Sequence, residues 1–95
     1  MSEMLAAGLL QAIEAIFNEN AFESIYDEVL FTCGQIGADS EKHAKELINS
    51  SIWPILVACL QSSNRDNLRE STFAVTLSLE MLSVTDAHDV LKDFP

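Results

Sequence analysis

Residues Val29 to Leu82 read VLFTCGQIGADSEKHAKELINSSIWPILVACLQSSNRDNLRESTFAVTLSLEML, and the spacing inside this stretch decides the fold. Apolar residues recur at intervals of three and four, and no segment alternates apolar with polar over strand length. Gly34 is placed to end or bend a helix that carries Val29, Leu30 and Cys33. Gly37-Ala-Asp-Ser40 reads as a loop that hands an N-cap to a short helix from Glu41 to about Asn49, with Ala44, Leu47 and Ile48 inward and Glu41 paired to Lys45. Ser51 then reads as the cap of a strongly apolar helix, Ile52 to Leu60, which tolerates Pro54 in its first turn. Gln61 to Asp66 is polar loop. A longer helix runs from Asn67 or Leu68 to about Leu82, with Leu68, Val75, Leu79 and Leu82 on one side.

Outward from this stretch the pattern stays helical. A first helix is expected from Ser2 to about Phe17, with Met4, Leu5, Leu9, Leu10, Ala12, Ile13, Ile16 and Phe17 apolar and only a narrow polar stripe, so it expects neighbours on more than one side. Asn20 and Glu23 form a capping box for the second helix, which includes Phe22, Ile25 and Tyr26. Beyond Leu82, Thr85 is placed to cap two further turns ending near Lys92. The expected fold class is all-α.

The short, medium and long helices with tight polar joints suggest a repeat. Val29 to Leu82 resembles armadillo-repeat sequence of the importin-alpha and beta-catenin kind. Cys33-Gly-Gln-Ile36 and Gly37-Ala-Asp-Ser40 are similar to the end of a third helix and the loop after it. Leu47-Ile-Asn-Ser-Ser51 is similar to the joint that follows a first helix, and Ile52 to Leu60 to a buried second helix. A second third-helix pattern recurs over Leu68 to Ser83, and aligning Gln35 with Met81 gives a repeat of 46 residues, close to the ~40–47 of HEAT and armadillo units. The resemblance divides the chain into a partial first repeat over 2–35, a second over 41–83, and a cap or tail over 84–95. A small four- to five-helix bundle is the alternative architecture.

The resemblance implies a right-handed superhelical stack whose third helices line a groove for extended peptides or partner helices. In nuclear-import members a Trp, and an Asn four residues later, hold a basic peptide. The matching positions here are Phe31 and Gln35, then Leu77 and Met81, which implies a mixed or apolar groove. The partner-binding residues implied are Asp27, Phe31, Gln35, Phe73, Leu77 and Met81, with Val75, Leu79 and Leu82 turned to the core. About two repeats fall short of the three or so a stack usually needs. The chain is therefore expected to form a homodimer, to be completed by another repeat protein, or to fold 84–95 back as a cap.

Length and charge bound the remaining classes. Ninety-five residues at 10.5 kDa hold one hydrophobic core, and 48% hydrophobic residues with mean hydropathy +0.17 are enough to fill it. Fifteen acids against five bases give −10 and a pI near 4.2, which disfavours nucleic acid and anionic membrane surfaces as partners. Residues 1–40 carry seven of the acids and no Lys or Arg, whereas the four acids and four bases of 41–70 cancel. No export signal or membrane-spanning run is visible, and Cys33 and Cys59 read as reduced core thiols, which points to an intracellular protein, cytoplasmic or nuclear.

No phosphate loop, HExxH or zinc ligand set is present, so no metal and no cofactor are expected. His43, among Glu41, Lys42 and Lys45, reads as a solvated surface histidine. Asp86, His88 and Asp89 do not share one helix face and read as acids at a helix start. The expectation is a non-enzymatic protein-interaction module, an adaptor or scaffold. The alternative is a small acidic inhibitor, of the immunity-protein or antitoxin kind, that blocks a basic site.

Overall fold

The computed structural model describes residues 2–18 and 26–92, and these form six helices with no strand. They are α1 (Glu3–Asn18), α2 (Tyr26–Asp39), α3 (Glu41–Ile48), α4 (Ile52–Cys59), α5 (Arg65–Glu80) and α6 (Val84–Leu91). The protein is all-α. The helices fill a slab of 35 × 31 × 17 Å, about two helix layers thick. The capping box at Asn20 and Glu23, together with Phe22 and Ile25, lies outside the described residues.

The slab is organised by α2 against α5, its most extensive helix pair. Their contact is made of small residues. Gly34 on α2 meets Ala74 on α5 and Gly37 meets Ser78, all four buried, and Ser71 on α5 is buried as well. A Cβ on Gly34 would lie 3.5 Å from the Ala74 Cα, whereas one on Gly37 would collide with the Ser78 Oγ. The Ser71 hydroxyl donates to the Leu68 carbonyl at 3.1 Å and the Ser78 hydroxyl to the Ala74 carbonyl at 2.6 Å, so each is satisfied within its own helix and buries as a small side chain.

This contact corrects two expectations. Gly34 does not end α2, and Gly37-Ala-Asp39 is helix, not loop. Gly37 serves close approach instead of termination, whereas Gly34 leaves room for ordinary contact with Ala74. The core side of α5 is as expected at Val75, which is buried, and at Leu79, which is half-buried and packs against the core; it is completed by Ser71, Ala74 and Ser78, whereas Leu68 is exposed and Leu82 only half-buried. Leu82 misses the core because α5 ends at Glu80.

The joints are short and capped, though not always where expected. Ser40 alone separates α2 from α3, in extended conformation, and its hydroxyl accepts the His43 N–H at 3.1 Å. Ser51 makes no side-chain cap; the Ser50 hydroxyl accepts the Ile52 N–H at 3.2 Å, and the Ser51 hydroxyl donates to Glu14. Asn64 caps α5 by accepting the Asp66 and Asn67 N–H groups, which starts that helix two residues before Asn67. Ser83, not Thr85, caps α6. The α3 and α4 helices are eight residues each, so the expected short-to-medium gradation is absent.

One core joins the helices. Leu10, Ile13 and Phe17 of α1 meet Leu30, Cys33 and Ile36 of α2, Leu47 of α3, Ile52, Trp53 and Leu56 of α4, and Ala74 and Val75 of α5. The α6 helix has no buried residue; Val90 packs against this core from outside, and Asp86 pairs with Lys45 at 3.3 Å.

Candidate functional site

A groove of about 240 Å³ runs between α2 and α5. Its residues follow from one periodicity: Phe31, Gly34, Gln35 and Ala38 lie at i, i+3, i+4 and i+7 on α2, and Glu70, Phe73 and Leu77 at i, i+3 and i+7 on α5. The glycine and alanine leave the space that the larger side chains border. Phe31 and Phe73 are each 55% exposed, although both belong to the residue type with most to gain from burial. Leu77 is half-buried and Gln35 exposed.

At one end the groove continues into an acidic depression bordered by Asp27, Glu28, Phe31, Thr32, Gln35 and Glu70. The Glu70 side chain is only 14% exposed, and its carboxylate accepts the Arg69 Nε–H at 3.2 Å. Asp27 and Glu28 stand in the first turn of α2, where carboxylates favour the helix dipole. The groove therefore joins an aromatic and aliphatic centre to a negative end.

Four of the six residues singled out in the sequence, Phe31, Gln35, Phe73 and Leu77, line this one groove. Asp27 borders only its acidic end. Met81 is not among the lining residues: it is the C-cap of α5, where the backbone leaves the helix, so the stripe at i, i+4, i+8 stops at Leu77. Gly34, Ala38 and Glu70 were missed by sequence reasoning. Their signal was available, since each lies three or four residues from a residue that was found.

A larger depression, about 960 Å³, separates α1 from α3 and includes Glu14, Glu41, Lys42 and Lys45. It is wide and its cations are already paired, Lys45 with Glu41 at 3.0 Å and Lys42 with Glu3. The Glu41 and then the Asp86 carboxylate hold the Lys45 ammonium above its usual range. Volume alone does not make it the better candidate; the α2–α5 groove has the unpaired aromatic surface.

No family model, curated protein or solved structure matches the chain.

His43 is the clearest departure from expectation. It is buried, and its Nδ1 lies 2.7 Å from the Asp39 Oδ2. Continuation of α2 to Asp39 places this carboxylate one turn before the imidazole, and the pair clasps the α2–α3 corner. A histidine oriented by a carboxylate is two parts of a nucleophilic triad, but the adjoining Ser40 hydroxyl is occupied as an N-cap acceptor. Burial pushes the Cys33 thiol up to about 12 and raises that of Cys59, which suppresses both as nucleophiles. Among the described residues no three His, Cys, Asp or Glu side chains converge as a metal site, and no helix is long and apolar enough to cross a membrane.

Proposed function

We propose that the protein is a non-enzymatic interaction module of the armadillo kind, an intracellular adaptor or scaffold that binds a peptide or partner helix in the α2–α5 groove. The observation that carries this reading is the pair Phe31 and Phe73, both left more than half exposed along one groove with Leu77 between the helices. Exposed aromatic surface in a concave site gains by burial against an apolar anchor. Asp27, Glu28 and Glu70 favour a basic residue next to that anchor. Support for the armadillo reading comes from the order of elements: a long helix, two short ones, and a second long helix packed against the first. The free thiols of Cys33 and Cys59 support a reducing compartment.

Selection from a displayed peptide library tests the reading. The native protein should enrich peptides with an apolar anchor near Lys or Arg, and Phe73→Glu should lose them while keeping its helical circular dichroism. Equal enrichment by a folded Phe73→Glu variant overturns it.

The acidic end also favours a second reading, an inhibitor that covers a basic site. Charge-driven binding of that kind weakens steeply as salt rises, whereas apolar docking changes little.

A further inference from the structure

We propose that the outer face of α1 is a second interaction surface, and that its occupant is another copy of this chain, paired antiparallel about a two-fold axis. On α1, Ala6, Leu10, Ile13 and Phe17 point into the core. The opposite face presents Met4, Leu5, Gly8, Ala12 and Ala15, all exposed; Met4 is 88% and Leu5 55% exposed. An uncovered apolar helix face of this kind marks association.

Gly8 says how closely the occupant approaches. Glycine weakens a helix interior, and this protein places its other two helical glycines where a neighbouring helix comes within contact. Among the described residues a Cβ on Gly8 would meet nothing within 4 Å. Nothing in the described chain makes use of the missing side chain, so the glycine is accounted for by a helix from outside that packs as α5 packs on α2.

Charge selects a like copy. The protein carries −10, so two copies repel wherever acids face each other. The carboxylates of α1 turn toward the body of the protein, Glu3 to Lys42 and Glu14 to Ser51. The outer face is neutral, with Gln11 as its polar exposed side chain. It attracts no cationic partner, and it lets two acidic chains meet without opposed charges.

The pattern is also self-complementary. An antiparallel pair centred near Leu10 sets Gly8 of one copy against Ala12 of the other, and Leu5 against Ala15, while Met4 comes level with Ile16 near each end of the seam. Because the axis repeats each contact, the interface is isologous and closes at two copies. Pairing a 16-residue helix along its length, roughly 24 Å, makes a small interface, at most near the ~1,000 Å² lower bound for a specific contact, which suits a weak dimer.

Sedimentation of the full chain from about 1 µM to about 1 mM tests this, with complete dissociation and association bracketing a weak dimer. The mass should rise from 10.5 kDa toward twice that value. Raising salt from about 0.02 to about 0.5 M should strengthen association by screening the mutual repulsion. Leu5→Glu and Ala12→Glu, both at exposed positions, should keep the native circular dichroism and move the midpoint at least about tenfold higher, the equivalent of about 1.4 kcal/mol. Phe73→Glu in the groove should leave it unchanged. A native chain that stays at 10.5 kDa throughout, variants of α1 that associate like the native chain, or loss of association in Phe73→Glu each overturn the proposal.

Discussion

Ser78 occupies the space that a side chain on Gly37 would need, and this relationship sets the separation of α2 and α5. A Cβ at Gly37 would also lie 3.1 Å from the Ser78 Cβ and 3.2 Å from the Leu47 Cδ2, so the crowding comes from two helices at once. Gly37→Ala should destabilise the protein by about 1–3 kcal/mol through overpacking, after a helix-propensity gain of up to about 1 kcal/mol. Adding Ser78→Ala removes the colliding oxygen and should restore part of the loss. Gly34→Ala is the control: its methyl makes ordinary contact with Ala74, so stability should hold or rise slightly. Denaturant midpoints of the four proteins check this, and an unperturbed Gly37→Ala refutes the close approach.

Cys33 ties stability to alkaline pH. In the folded protein burial holds its proton up to about 12, against an ordinary value of 9.0. Between these values the unfolded chain binds fewer protons, so stability falls as pH rises, by at most about 1.4 kcal/mol per unit. Below about pH 8 the contribution is constant. Cys33→Ala should flatten the decline above pH 9.0 while costing some stability at neutral pH. Equilibrium unfolding across this range is the measurement, and parallel curves for the two proteins would contradict it.

The α6 helix should open first. It has no buried residue, and its attachment rests on Val90 and the exposed Lys45–Asp86 pair. Its amides should exchange with solvent well before those of α2 and α5. Ser83→Ala removes the cap and should cost α6 about 1 kcal/mol locally without moving the main unfolding transition. Hydrogen exchange resolved by residue distinguishes this from a global effect.

Groove substitutions should separate binding from folding. Phe31→Ala and Phe73→Ala each remove a half-exposed ring and should cost less than the roughly 3–5 kcal/mol typical of a core phenylalanine. Leu77→Glu should stay helical, because the side chain borders solvent. Thermal unfolding reads the first and circular dichroism the second; a collapsed Leu77→Glu would assign that residue to the core.

His43 carries a structural load that its polar neighbours concealed. His43→Ala should destabilise the protein by about 1–3 kcal/mol, since it leaves a void and strips a partner from the Asp39 carboxylate. Loss within about 0.5 kcal/mol, the usual range for surface positions, would contradict its burial.

The all-helical class and most helix bodies were legible because apolar spacing reports which face is buried. Phe31, Gln35, Phe73 and Leu77 follow from the repeat register that the resemblance implies, since apolar spacing alone would place Phe73 and Leu77 in the core; in the structure they line one groove between α2 and α5. What misled was chemistry whose sign depends on context. Gly34 and Gly37 carry the composition of a turn, yet both lie within α2, and at Gly37 the side chains of Ser78 and Leu47 make the missing Cβ a packing device. Ser71 and Ser78 carry no core signal in the sequence, yet both are buried, because a hydroxyl that bonds its own helix buries at little cost. His43 sits among charges in sequence, and only the extension of α2 brings the Asp39 carboxylate beside it. Caps shifted by a residue or two wherever several Ser or Asn compete for one helix start, as at Ser50 and Ser51.

Ser40 has a practical bearing on where this chain accepts change. A lone extended residue between two helices leaves no slack, so an inserted residue at 39–41 would rotate α3 about its axis and carry Ala44 and Leu47 off the core. The stretch 60–64 ends on a side-chain cap that any inserted length can still deliver. A fluorophore or affinity tag therefore belongs after Ser62, where lengthening the connector leaves both the corner and the groove in register.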